Sequence, residues 1–172
     1  MKVLGIDPGL AITGYAILQE RAGNARALER FQVLEAGVIR THPETETPLR
    51  LRAVYEDVVH LIEEFRPEAV AVEELFFNKN VTTAMAVSQA RGVVLLACSE
   101  LLMESFTPLQ VKQQICGYGR ATKPQMQAMV QRLLRLNALP KPDDAADAIA
   151  VALCYLMRKN SPIRSLAGVK GR

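Results

Sequence analysis

The sequence has no tryptophan, two histidines and three cysteines, and aromatic residues make up 5% of it. Each shortage excludes something. Cys98, Cys116 and Cys154 are odd in number, far apart and without a C-x-x-C pairing, so neither a disulfide framework nor a thiolate metal site is encoded. They read as small buried hydrophobes in a reducing compartment. His42 and His60 are isolated, which argues against a zinc centre. No apolar run approaches the roughly 18 residues needed to span a bilayer. The longest candidate, Gly92 to Cys98, lies between Arg91 and Glu100. Met1-Lys2 leads directly into Val3-Leu4-Gly5-Ile6 with no signal-peptide core, and the expectation is a cytoplasmic protein without a membrane.

Acid is also missing, but only locally. Residues 1–104 carry 15 acids and 10 bases, whereas residues 105–172 carry 3 acids and 11 bases. From Ser105 to Pro142 there is no acid, while Lys112, Arg120, Lys123, Arg132, Arg135 and Lys141 all fall there. The formal net charge of +3 therefore conceals a strongly basic second half. Such a face suits a polyanion such as nucleic acid, although a merely solvated basic surface has the same composition. A length of 172 residues suits one domain with a real core. We read residues 1–159 as that domain and residues 160–172 as a loose, basic tail.

Hydrophobic patterning places the elements. Lys2 to Asp7 is a short apolar strand closed by Pro8-Gly9, and Thr13 to Leu18 and Phe31 to Arg40 follow as strands joined through Ala22-Gly23-Asn24. Leu51, Val54, Val58, Leu61, Ile62 and Phe65 form one stripe of a helix over 49–65 that ends at Arg66-Pro67. Ala69 to Val72 is a buried strand delivering Glu73. The stretch 82–104 reads as one long apolar helix, and 105–107 as a short strand before Pro108. Thr122 and Gln125 form a capping-box pattern opening a helix over 122–136, and a last helix spans 143–159. The order β-β-β-α-β-α-β-α-α implies an α/β fold: an antiparallel meander plus parallel strands in a mixed five-stranded sheet flanked by helices.

Four acids stand out. Asp7 and Glu73 each end a buried strand, where ligand sites of open α/β sheets lie. Asp144 and Asp147 are three apart on the first turns of a helix and face the same way. Singly, each has an ordinary alternative: Asp7 as a turn residue, Glu73 and Glu74 as a solvated loop, Asp143 or Asp144 as an N-cap. Asp147 fits those alternatives least, since it lies between Ala145-Ala146 and Ala148-Ile149. If the four converge, a carboxylate pair at 4 Å costs about 4 kcal/mol at an effective dielectric near 20. Protonation or a divalent cation must relieve it. Carboxylates without His or Cys favour Mg²⁺, or Mn²⁺ in its place, and two such ions could drive in-line hydrolysis of a phosphodiester.

At these residues the sequence resembles the RuvC family of Holliday-junction resolvases. The matching blocks are Leu4-Gly5-Ile6-Asp7-Pro8-Gly9 with Thr13-Gly14-Tyr15; Val72-Glu73 with Phe76 and Lys79-Asn80; Gln89-Ala90-Arg91-Gly92-Val93; Val111-Lys112-Gln113 with Gly117, Gly119 and Lys123; and Asp144-Ala145-Ala146-Asp147-Ala148. The resemblance implies a ribonuclease H-like fold, a homodimer, magnesium (two ions per subunit), four-way junction DNA as substrate and a RuvA–RuvB branch-migration partner in a bacterial cytoplasm. It implies that Asp7, Glu73, Asp144 and Asp147 are the catalytic, metal-binding acids. The doubled acid Asp143-Asp144 leaves Asp143 possible by spacing, while registration favours Asp144. Phe76 matches an aromatic that stacks on bases at the crossover; packing in the core is the alternative for Phe76 and Phe77. Lys112 and Lys123 match basic residues that contact junction DNA, and Lys79, Arg91 and Arg120 extend that basic set. The apolar helix over 82–104 is the candidate dimer interface. The alternatives are a nuclease of the same fold acting on ribosomal RNA precursors, and a junction-binding protein with a dead site.

Overall fold

The fold was obtained as a computed structural model, and the structure describes residues 1–21, 30–74, 81–138 and 141–160, with the backbone alone at 81–83. Five strands form one sheet: β1 (Lys2–Asp7), β2 (Ile12–Glu20), β3 (Phe31–Arg40), β4 (Ala69–Glu73) and β5 (Leu102–Phe106), in the order β3-β2-β1-β4-β5. β1, β2 and β3 are antiparallel neighbours, while β4 runs parallel to β1 and β5 parallel to β4. Among the described residues there are five helices: α1 (Thr47–Phe65), α2 (Val81–Ala97), α3 (Pro108–Cys116), α4 (Lys123–Leu134) and α5 (Asp143–Lys159). Among the described residues, no helix is long and apolar enough to cross a membrane.

Strand alternation sorts side chains into two layers. Leu4, Ile6, Ile17, Val70 and Val72 pack against Val54, Val58 and Leu61 of α1 and Val94 of α2. Val3, Ala16, Leu18, Ala69 and Ala71 face the other way, against α3, α4 and α5. On that second face the residues are small, and α5 answers with Ala145, Ala146, Ala148, Ala150 and Ala152, all buried. The helix therefore lies very close to the strands. A Cβ on Gly5 would fall 2.2 Å from the Ala148 carbonyl oxygen, and one on Gly14 would fall 2.0 Å from that of Asp144. These two glycines fix the height of α5 above β1 and β2. A side chain at either position would meet backbone that cannot rotate away.

The mixed five-stranded sheet, an antiparallel meander plus parallel strands, agrees with the sequence reading, and three details differ. The apolar stretch 82–104 is not one helix. α2 ends at Ala97, a turn closes with Leu101 N donating to Cys98 O, and residues 102–106 pair in parallel with 69–73. Hydrophobicity alone cannot separate buried helix from buried strand; the free edge of β4 decides it. The segment after Pro108 is a helix that was not foreseen, α3. Its signal was present: Thr107 accepts from Gln110 N in a capping box with Pro at the first turn, the same device that opens α4 at Thr122 and Gln125. Finally, α5 is capped by neither Asp143 nor Asp144; Pro142 holds the cap position and both acids lie in the first turn. The Ala22-Gly23-Asn24 connection lies outside the described residues. Cys98 and Cys154 are buried, and burial pushes both thiols up to about 12, in keeping with a packing role.

Candidate active site

Asp7 and Glu73 meet because β1 and β4 are parallel neighbours, with Ile6 paired to Val72 and one residue left on each. Both carboxyls continue the face that carries Val3, Ala69 and Ala71, the face covered by α5. The turn after Asp7 is latched from beneath: the Thr13 hydroxyl, fully buried, donates to Gly9 O (2.5 Å) and accepts from Gly9 N (3.3 Å). That pair satisfies the turn's backbone without water and sets the direction in which β1 ends.

The close seating of α5 brings the second pair of acids to the first. Asp144 and Asp147 both act electrostatically on Asp7, and Asp147 also acts on Glu73. The Asp7 and Glu73 carboxyls hydrogen-bond each other. Burial, and then the Asp7 charge, pushes Glu73 up to about 9. Burial also raises Asp7, to about 6; its bond with Glu73 works against the rise, and the charges of Asp147 and Asp144 add to it. Asp147 is raised by burial as well, with Lys123 opposing. The arrangement is a half-buried pool of excess negative charge.

Among the described residues one cation, Lys123, bonds to these acids. Lys123, at the start of α4, places Nζ 3.0 Å from Asp147 Oδ2 and 3.3 Å from Asp143 Oδ2. Burial works against its charge, but bonding to Asp147 and Asp143 more than offsets this and holds the ammonium above its ordinary value. Asp143 points outward: it is exposed, takes Lys123 and Gln127 as partners, and is held below the usual carboxylate range by them. The doubled acid is thereby separated, with Asp144 inside the group around Asp7 and Asp143 at its rim. Among the described residues no three of these acids are already turned toward a single point as cation ligands. Asp7 and Glu73 bond each other and Asp147 turns to Lys123, so a cation would exchange with a proton and an ammonium.

The other candidates are dispersed. Lys112 is half-buried on α3, and Arg120 is exposed between α3 and α4. Arg91 is not on the acidic face: its Nη2 donates to Ser105 Oγ (2.9 Å), and Ser105 pairs with Val72, which packs against α1 and α2. Its Nε is buried and has no partner among the described residues. Phe76 and Lys79 lie outside the described residues. The supporting residues that sequence reasoning gave no role are Gly5, Gly14, Thr13 and Gln127. The first three sit in the quoted motifs, so their positions were visible although their contacts were not.

The family model for the crossover junction endodeoxyribonuclease RuvC matches residues 3–155 of the chain. The chain is 51% identical over 157 residues to the crossover junction endodeoxyribonuclease RuvC of Halothermothrix orenii, covering 90% of this chain and 92% of that protein. It is 52% identical over 157 residues to that of Alkaliphilus metalliredigens, with the same coverage of 90% and 92%. Among solved structures, Thermus thermophilus RuvC is similar at a TM-score of 0.83 and 35% identity, covering 92% of this chain and 95% of the other. T. thermophilus RuvC in complex with Holliday junction substrate gives a TM-score of 0.85 at 35% identity, covering 92% and 94%.

Proposed function

The chain belongs to the RuvC family of crossover junction endodeoxyribonucleases, and from that premise we propose how its own residues resolve a Holliday junction. The protein is a nuclease that cuts four-way DNA junctions in recombination and repair. The observation that carries the mechanism is the convergence of acids at the carboxyl ends of β1 and β4 under the start of α5, bordered by Lys123.

Asp7, Glu73, Asp144 and Asp147 are the catalytic acids in this reading. The donor set fits a hard divalent cation: it is all carboxylate, and among the described residues Lys123 is the ammonium set against it. Mg²⁺ is the natural ion, Mn²⁺ a substitute, and two ions per subunit match the number of acids. When bound, such ions make water nucleophilic near neutral pH and stabilise the leaving oxygen of a phosphodiester. Asp7, at the centre of the group, and Asp147 would hold the ions and Asp144 would complete the ligand set, while Glu73 would give up its proton and orient the attacking water. In-line attack breaks the bond to the 3′-oxygen, leaving 5′-phosphate and 3′-hydroxyl ends. Lys112, Lys123 and Arg120 neutralise DNA phosphates, joined by Lys79, and Phe76 stacks at the crossover, whereas Arg91, bonded to Ser105 on the opposite face of the sheet, is held away from this set.

Two symmetric nicks need two sites related by a twofold axis, hence a homodimer. α2 supplies a self-complementary face: Met85, Gln89, Gly92 and Leu96 recur along one side and are all exposed. Among the described residues, no atom beyond Gly92's own stretch of helix lies within 4 Å of where its Cβ would be, so helices from two subunits can cross there at close range. A RuvA–RuvB complex would bring the junction in the bacterial cytoplasm. Incubation with synthetic four-way junctions, linear duplex and structured RNA, each with and without Mg²⁺, tests the whole reading. Paired symmetric nicks in junctions alone, dependent on Mg²⁺, are expected; cleavage of RNA, or equal cleavage of duplex, would overturn it.

A further inference from the structure

We propose that Asp143 is a positioning residue for Lys123, keeping its ammonium at the mouth of the acidic group and presented to a DNA phosphate once Asp147 is occupied by a cation. The inference rests on the junction-cleaving function above and assigns a role to an acid outside the four.

The contacts form a clamp between two helices. Lys123 and Gln127 are one turn apart on α4, and Asp143 and Asp147 are one turn apart on α5. Lys123 Nζ lies 3.0 Å from Asp147 Oδ2 and 3.3 Å from Asp143 Oδ2, while Gln127 Nε2 donates to the other oxygen of Asp143 at 3.2 Å. Asp143 is thus fixed at both oxygens. The two carboxylates differ in surroundings: the Asp147 side chain is 20% exposed and acts on Asp7, whereas Asp143 is 65% exposed and faces outward.

Lys123 also stands at an electrostatically poor position. It is the first residue of α4, where the helix dipole is positive and no acid occupies the first turn. The charge is therefore held by α5 and not by its own helix. The Thr122–Gln125 capping box fixes the backbone from which the side chain extends. With Asp147 given over to a divalent cation, Lys123 would lose one of its two anchors and its ammonium would be repelled. Asp143, which is not among the cation's ligands, retains it. An ammonium has three donors, so Lys123 can keep Asp143 and still bond a phosphate oxygen. Without Asp143 the side chain would swing into solvent.

The alternative, that Asp143 is an ordinary surface acid near DNA, makes the opposite forecast, because removing a repulsive charge tightens binding. The test measures binding of a synthetic four-way junction against salt, in Ca²⁺ and separately in EDTA, for the full chain and for Asp143→Asn, Lys123→Met and the double variant. In Ca²⁺, Asp143→Asn should flatten the slope of log K against log salt by about 0.9, the value of one phosphate contact. Lys123→Met should do the same, and the double variant no more. In EDTA, where Asp147 keeps the lysine, Asp143→Asn should retain most of the unaltered slope. Single-turnover cleavage in Mg²⁺ should fall about tenfold in Asp143→Asn, in line with one lost charge contact, and recover in Asp143→Glu. Tighter binding, an unchanged slope in Ca²⁺, or losses that add in the double variant would overturn the proposal. A failure of the underlying function would show in the unaltered chain itself, as no preference for junction over duplex.

Discussion

The carboxyl groups of Asp7 and Glu73 lie side by side where the parallel neighbours β1 and β4 end. They are hydrogen-bonded to each other, burial and mutual charge push Glu73 up to about 9, and Asp7 rises to about 6. Two bare carboxylates could not make that bond, so near neutral pH the pair holds a single proton and titrates as a unit.

Neutral isosteres at either position should leave the fold intact and abolish cleavage. Asp7→Asn and Glu73→Gln should each lower the rate of junction nicking by on the order of a thousandfold or more, equivalent to about 4 kcal/mol of transition-state stabilisation. Junction binding, measured by gel shift, should remain within severalfold of the unaltered protein. Retained cleavage in Asp7→Asn would remove that residue from the site.

The shared proton gives the metal-free protein a defined pH dependence. Both folded-state values lie above the ordinary carboxylate range, 3.8 for Asp7 and 4.5 for Glu73, so the folded chain binds these protons more tightly than the unfolded chain. This stability is complete below the unfolded values and is lost as pH rises, through about 6 for Asp7 and about 9 for Glu73. Thermal melts in EDTA should fall steadily across that window, and Glu73→Gln should flatten the upper part. Mg²⁺ at a hundred times its Kd should add about 2.7 kcal/mol, most visibly at alkaline pH. A melting temperature independent of both pH and Mg²⁺ would contradict the charge pool.

Gly14 tests how the second pair of acids is delivered. A methyl group there would meet the Asp144 carbonyl oxygen at 2.0 Å, which is backbone and cannot yield by rotation. Gly14→Ala should destabilise the protein by about 1–3 kcal/mol through overpacking and shift α5 outward. Nicking should suffer far more than stability, because Asp144 and Asp147 move with the helix. Denaturant melts and cleavage rates on the same sample separate the two effects.

Gly92 tests the dimer. Among the described residues, nothing beyond the glycine's own stretch of helix lies within 4 Å of a Cβ at this position. Gly92→Leu should therefore leave the subunit folded while holding two α2 helices apart. Sedimentation should show more monomer, and supercoiled junction substrates should yield single nicks in place of paired ones. Unchanged sedimentation would place the subunit contact elsewhere.

Much of this was present in the chain itself. The endings of β1 and β4 at acids, the alanines around Asp147, the T-x-x-Q caps and the acid-free stretch before Asp143 are local features, and local physics reads them. Sequence could not set the boundary between α2 and β5, because an apolar run is equally content as helix or strand until β4 offers an unpaired edge. Nor could spacing alone divide Asp143 from Asp144, a choice made only by registration with the family motif, because the two differ in which side of α5 they occupy when Gly5 and Gly14 let the helix down onto the sheet. The identities of the charged groups were written in one dimension. Their electrostatics, a proton between Asp7 and Glu73 and an ammonium between Asp143 and Asp147, depend on distances between strands and helices far apart in sequence, and only packing fixes those.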